Sequence, residues 1–295
     1  MKKDYLQPGM ILKGKWNGNQ YKIISKLGQG GVGQVYLVEE RYTKNRAALK
    51  ISDNIQSITK EYEKLAYFEE LKFTPKVNEI DDCEIQGKVH YYFSMEYIQG
   101  KNMKDYIQNR PISWKCAIGI ILIIGNAFKN FHRKGYIFGD LKLENLMIDS
   151  KRIKIIDLGG ATKLGSSVKE FTPFYDRASW NMGLRTGNEE YDLFSLNLLL
   201  IYLLLREDAL ACQYDICKLM EDLKKSNIPM VLQKLIRQGI MQKDISFEEY
   251  YIQLKKIYEK NKLYLLPKQV SYRDKWINFF FVSSVVIFLY VLWIF

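Results

Sequence analysis

The chain has 295 residues, 47% of them hydrophobic, enough to bury a large core in one or two domains. Its formal charge is +11, from 44 Lys+Arg against 33 Asp+Glu, but the basic residues are spread along the chain rather than gathered into an arm, so no nucleic-acid partner is expected. Cys83, Cys116, Cys212 and Cys217 lack metal-site spacing and have only His90 and His132 to help them, which argues against a transition-metal enzyme and reads as reduced, buried thiols.

No apolar stretch follows the charges of the N-terminus, Met1 to Leu6, so no signal peptide is read there. Tyr21 to Ser25 is strand-like and runs into a glycine cluster, Gly28-Gln29-Gly30-Gly31-Val32-Gly33-Gln34-Val35. That G-x-G-x-x-G-x-V spacing is shared with dinucleotide-binding turns, but here a strand, Gln34 to Val38, follows the glycines where such a turn has a helix. The order favours a hairpin flap over a polyphosphate. Lys50 ends the next apolar run, Ala47-Ala48-Leu49, and a lysine so placed needs its charge matched by a phosphate or a carboxylate. The carboxylate candidate is Glu61, with Glu63 as the alternative, on a helix read over Ser57 to Leu71 with Ile58, Leu65 and Phe68 on one side. Val89 to Tyr97 returns to strand character and Gly100 marks a turn.

From Asn102 onward the pattern is helical, interrupted by a loop-rich stretch from Gly135 to about Trp180. Inside it stand Phe138-Gly139-Asp140-Leu141-Lys142-Leu143-Glu144-Asn145 and, twelve residues past Asn145, Asp157-Leu158-Gly159. An aspartate, a lysine and an asparagine in one short loop, with a second aspartate ending a short strand, suit phosphoryl transfer. One carboxylate orients a hydroxyl, while the amide and the other carboxylate hold a divalent metal on a polyphosphate. The apolar runs Cys116 to Ile124 and Leu193 to Leu205 are too short to cross a bilayer and read as buried core helices.

Between Lys255 and Lys275 there are seven Lys/Arg (255, 256, 260, 262, 268, 273, 275) and two acids (259, 274), a local net of +5. Trp276 to Phe295 then carries no charge over twenty residues, which as a helix rising about 1.5 Å per residue spans roughly 30 Å, the thickness of a bilayer core. Trp276, Tyr290 and Trp293 lie near its ends, and Arg273 and Lys275 flank it, an arrangement that keeps residues 1–275 in the cytosol. The expectation is a tail-anchored membrane protein.

Taken together, residues 10 to 260 resemble a bacterial Ser/Thr protein kinase of the type related to the eukaryotic family. The resemblance implies an α+β, bilobal protein-kinase-like fold: a β-rich N-lobe (10–97), a larger helical C-lobe (98–260), a basic juxtamembrane linker (261–275) and one transmembrane helix (276–295). It implies ATP and Mg²⁺, or Mn²⁺ in its place, as cofactors, and Ser/Thr-bearing proteins and the lipid bilayer as partners, with lateral or homodimeric association left open. Gly28, Gly30, Gly33 and Val35 match the glycine-rich loop, Lys50 the ATP-anchoring lysine and Glu61 its helix carboxylate. Met95, Glu96 and Ile98 match the hinge at the adenine pocket. Asp140 matches the catalytic aspartate, Lys142 the lysine that steadies the γ-phosphate, and Asn145 and Asp157 the metal ligands. Asp192 resembles the buried aspartate that braces the catalytic loop, His132 a structural histidine, and Thr172 the threonine that contacts the catalytic aspartate in Ser/Thr kinases.

The departures are informative. Phe138 and Gly139 stand where histidine and arginine are usual: Phe138 is expected to fill an apolar stack with Leu158 and Leu65, and Gly139 removes the arginine that receives an activation-loop phosphate. Catalysis independent of activation-loop phosphorylation is expected. Arg177-Ala178-Ser179 stands where Ala-Pro-Glu is usual, and Lys243 to Phe247 offers no arginine, so both ends of a buried ion pair are expected to be missing. Two other readings remain open: a small-molecule phosphotransferase of the same fold, and a nucleotide-binding scaffold without catalysis.

Overall fold

The computed structural model describes residues 4–30, 33–108, 110–149, 152–242 and 244–262. The first part is a six-stranded antiparallel sheet made of β1 (Ile11–Lys13), β2 (Gln20–Gln29), β3 (Gln34–Glu40), β4 (Arg46–Ser52), β5 (Val77–Ile85) and β6 (Lys88–Glu96) in the order β1-β2-β3-β4-β6-β5. Helix α1 (Ile55–Phe68) is inserted between β4 and β5. Asn54 caps it by accepting a hydrogen bond from the Ser57 amide, which satisfies one of the amides left orphaned at a helix start. Ile58, Leu65 and Phe68 are its buried face, the three positions that the apolar spacing picks out.

Strand alternation places Lys50. Ala47, Leu49 and Ile51 of β4 pack into a core on the outer face of the sheet with Tyr21, Ile23, Tyr36 and Tyr92, whereas Ala48 joins the main core on the opposite face. Lys50 therefore shares the Ala48 face, which looks toward α1 and the helical part. A shift of one residue in the β3–β4 register would turn it outward.

β5 has no clear apolar alternation and is legible only in the fold. Its acidic residues are acceptors for neighbouring segments: Glu79 takes hydrogen bonds from the hydroxyls of the buried Tyr21 (2.8 Å) and Tyr92 (3.1 Å), and Asp81 from the loop amides of Trp16 (3.1 Å) and Asn17 (2.8 Å). Carboxylates with several donors are tolerated in a strand that faces its neighbours.

The second part opens with β7 (Lys101–Asn102) and α2 (Met103–Ile107), followed by α3 (Trp114–Arg133), which is capped by Ser113. Short strands β8 (Tyr136–Ile137), β9 (Leu146–Asp149), β10 (Arg152–Ile155) and β11 (Thr162–Lys163), paired β9 with β10 and β8 with β11, carry the loops of the site. Helices α4 (Glu189–Leu205), α5 (Glu207–Leu210), α6 (Ile216–Lys225), α7 (Met230–Met241) and α8 (Phe247–Lys262) complete the part. α4 is apolar around its whole circumference, and its residues from Tyr191 to Ile201 are all buried, as befits a central core helix. Gly239 of α7 lets it approach Asn197, whose side-chain oxygen accepts from the Tyr250 hydroxyl of α8 at 2.6 Å.

Among the described residues no helix is long and apolar enough to cross a membrane. The expected span at 276–295, and the expected linker beyond Lys262, lie outside the described residues. One expectation needs correction: all four cysteines are free, but only Cys83 and Cys212 are buried, while Cys116 and Cys217 are exposed. Cys116 sits in the first turn of α3, ahead of its buried stretch, so the apolar run around it does not cover its thiol.

Candidate active site

A cleft of about 600 Å³ lies between the sheet and the helical part. The sheet side contributes Gly28, Gly30, Val35 and Lys50, α1 contributes Glu61, and the connection between the two parts contributes Met95, Glu96 and Ile98. Lys142, Asn145 and Asp157 face them from the helical side. Gly33 and Asp140 are not part of that lining.

The glycine cluster is a β2–β3 hairpin, with Gly28 opposite Val35 and the Gly30 amide donating to the Gly33 carbonyl at 2.9 Å. The glycines are there for different reasons. Around Gly28 and Gly30 a side chain would meet open space, so their backbone is free to lie close to a ligand. A Cβ at Gly33 would lie 2.6 Å from the Ile51 carbonyl oxygen, so that glycine serves the packing of the hairpin on β4.

Lys50 Nζ donates to Glu61 Oε1 at 2.6 Å and also to Oε2, while Glu63 is exposed, so the choice between the two acids falls to Glu61. Burial raises the Glu61 carboxyl above its usual range, and the Lys50 ammonium offsets only part of that rise. The pair is nearly closed off from solvent, with side chains 13% and 12% exposed.

Across the cleft, the Asp140 carboxylate is held from two sides. Lys142 Nζ donates to Oδ2 at 2.8 Å and the Thr172 hydroxyl to Oδ1 at 2.7 Å. Lys142 Nζ also lies 4.0 Å from Asp157 Oδ2. Burial works against the Lys142 charge, but the hydrogen bond and attraction of Asp140, with Asp157 behind it, prevail and raise its pKa above the ordinary lysine value. Asn145 ends the 3₁₀ turn Leu143–Asn145, and its carbonyl accepts from the Ile156 amide at 3.0 Å, which sets it beside Asp157.

Asp192, in the first turn of α4, accepts from the amides of Phe138 (2.8 Å) and Gly139 (3.1 Å) and shares a 2.9 Å hydrogen bond with His132 Nε2. His132 is 9% exposed, lies edge-on to Phe247, and has a supporting place under the loop. Phe138 is 1% exposed in the same core as Leu65 and Leu158, but its ring partners are Phe128, stacked at 5.1 Å, and Phe131, edge-on at 6.0 Å.

Gly139 has φ of +79°, and a Cβ there would overlap the Gly160 carbonyl oxygen. Gly160 in turn is pressed against Asp140, where a Cβ would overlap the Asp140 side chain. The position thus excludes every side chain, in addition to lacking the arginine.

Sequence reasoning missed two supports. The first is Asp176, which is fully buried and accepts from the Ser179 amide and hydroxyl, from Arg185 Nε (3.0 Å) and Nη2 (2.8 Å), and from the Tyr191 hydroxyl (2.9 Å). The two charges are nine residues apart and form no motif, so only the folded loop joins them. The second is Lys154 of β10, which donates to the Thr74 carbonyl at 3.3 Å and to the Glu96 carboxylate, tying the hinge to the helical part. A lysine in an alternating strand gives no hint of that partner.

These features are those of protein kinases, and residues 21–263 match the protein kinase domain family. The chain belongs to that family. It is similar to the serine/threonine-protein kinase YabT of Bacillus subtilis (39% identical over 204 residues, 66% of this chain and 59% of that one). It is also similar to PrkC of the same organism (31% over 167 residues, 53% and 25%) and to the probable kinase PknB of Lactococcus lactis (32% over 167 residues, 54% and 26%). Each match spans less than two thirds of the relative's own length.

Burial would raise the Asp176 pKa, but the donors of Ser179, Arg185 and Tyr191 outweigh it and hold the carboxyl below its usual value. Its contribution to stability is therefore present above the unfolded value, about 4, and lost as pH falls through the lower folded value. Asp176→Asn should cost about 2–3 kcal/mol at neutral pH, toward the low end for a broken buried pair because Arg185 is 40% exposed. In urea titrations across pH the gap to wild type should narrow below about pH 4. Gly139→Ala and Gly139→Arg should each lose at least about 1–3 kcal/mol in the same titration, from the left-handed backbone alone.

Proposed function

We propose that this chain is an ATP- and Mg²⁺-dependent Ser/Thr protein kinase, held on the cytosolic face of a membrane by residues 276–295, whose catalysis does not require phosphate on the activation segment. The observation that carries the catalytic reading is the Asp140 carboxylate, fixed by Lys142 and Thr172 opposite the Lys50–Glu61 pair. The donor set fits the cofactor: Asn145 and Asp157 offer the hard oxygen ligands that Mg²⁺ takes, and two lysines flank the place for the phosphates. Mg²⁺, when bound, neutralises charge on the phosphates. Mn²⁺ suits the same oxygens.

Asp140 orients the Ser or Thr hydroxyl of the substrate, whose oxygen forms the new bond to the γ-phosphorus as the bond to the bridging oxygen breaks and ADP departs. The hydroxyl proton passes to Asp140 and then to water. Lys50 and Lys142 stabilise negative charge on the transferred group, and Glu61 keeps Lys50 aimed into the cleft. Thr172 helps to hold Asp140, a contact that supports Ser/Thr over Tyr substrates. Val35, Ala48, Met95, Glu96 and Ile98 line the cleft and would hold an adenine.

Independence from the activation-segment phosphate is supported by Gly139, the non-arginine residue before Asp140, and by the direct packing of Gly160 on this loop. The names of the relatives support a protein substrate over a small molecule. Membrane attachment is supported by twenty uncharged residues behind a basic flank.

The chain incubated with labelled ATP and Mg²⁺ should transfer phosphate to protein, with at least a ~10³-fold loss in Asp140→Asn. A triple variant, Thr162→Ala, Ser166→Ala and Ser167→Ala, should retain activity within about threefold; loss of transfer there would end the phosphate-independent reading. On carbonate extraction the protein should stay with the membrane pellet, and a form ending at Lys275 should be released.

A further inference from the structure

Lys64 stands one helical turn beyond Glu61 on α1 and belongs to no kinase motif that the sequence displays. Its Nζ donates to the carbonyl of Gly159 at 2.6 Å and to that of Leu158 at 3.2 Å. Those are the two residues after Asp157, in a turn closed by the Gly159 amide donating to Asp157 Oδ1 at 2.8 Å. One helix thus presents a carboxylate to Lys50 and an ammonium to the metal turn.

The activation segment comes to the same place. Glu170 Oε2 lies 2.6 Å, and Asp157 Oδ1 3.1 Å, from where a Cβ on Gly159 would stand, so two carboxylates converge in front of this glycine. Glu61 and Lys64 both lie in the field of Asp157 and Glu170, with Lys60 as the like charge that opposes Lys64. Three carboxylates drawn together from three segments repel one another, and Lys64 is the cation among them that also bonds to backbone. A side chain held by two carbonyls is directional, whereas a surface ion pair is not.

We infer that Lys64 is a positioning residue that ties α1 to the Asp157–Gly159 turn and to the activation segment, so that the Lys50–Glu61 pair and the metal aspartate are assembled together without a phosphate. The inference rests on the kinase reading above for its catalytic consequence, but its structural content concerns only this chain's own contacts. It also gives a physical reason for the tolerance of Gly139: the helix supplies a link between activation segment and site in addition to the Thr172–Asp140 hydrogen bond.

The test uses the full-length chain in detergent, as wild type, Lys64→Met and Lys64→Arg. Without nucleotide or metal, hydrogen exchange should quicken about tenfold in residues 157–161 and along α1 in Lys64→Met, and stay unchanged in β2–β6. With ATP, kcat should fall about 10–100-fold and the Mg²⁺ needed for half-maximal rate should rise about fivefold, with KM for ATP changed less than about threefold. Lys64→Arg, which can reach both carbonyls, should restore most of the rate. Unchanged exchange at 157–161 in Lys64→Met overturns the inference, as does quickened exchange throughout the sheet, which would mark a general loss of stability. If wild type itself transfers no phosphate, the kinase reading fails, and the exchange arm still decides the role of Lys64.

Discussion

The catalytic loop depends on one buried carboxylate. Asp192 sits in the first turn of a helix that is enclosed on all sides, where the helix dipole favours negative charge, and it takes the amides of Phe138 and Gly139 together with the His132 ring. Two amides bonded to one carboxylate fix the path of the chain immediately before Asp140. From there Lys142, the turn at Asn145 and the return to Asp157 follow within a few residues.

The sheet must then be registered against it, and electrostatics does this at three places. Lys50 and Glu61 close the sheet onto α1, Lys64 closes α1 onto the metal turn, and Lys154 with Glu96 closes the hinge onto β10. Each is a charge largely removed from water, so each is costly unless its partner is in place. Lys64 with Gly159 and Lys154 with Glu96 join segments far apart in the chain, which makes the cleft cooperative: displacing α1 disturbs the Lys50–Glu61 pair and the Asp157–Gly159 turn at once. Close glycine packing at Gly139 and Gly160 adds a steric link in the one spot where a side chain would otherwise stand.

The residues around the cleft were legible in the sequence because they lie in short local patterns. The glycines before a strand, the Asp140-to-Asn145 spacing and the aspartate ending an apolar run survive as motifs. Glu61 was legible as one of two candidates, and burial on α1 separates it from Glu63. What stayed hidden is of another kind. β5 is acidic because its carboxylates serve tyrosine hydroxyls and loop amides on neighbouring strands, so its apolar pattern is weak. Asp176 with Arg185 and Lys154 with Glu96 are pairs without spacing rules.

The sequence by itself determined the glycine cluster followed by a strand, the Asp140-to-Asn145 spacing and the uncharged stretch at 276–295, because periodicity, glycine placement and the lack of charge are local properties. Only the tertiary structure decided which carboxylate meets Lys50, what holds Asp140, and why Gly139 admits no side chain. Those answers depend on contacts that the fold makes, such as Lys50 with Glu61 eleven residues on and Asp140 with Thr172 thirty-two residues on, and no local pattern encodes a distance across a fold.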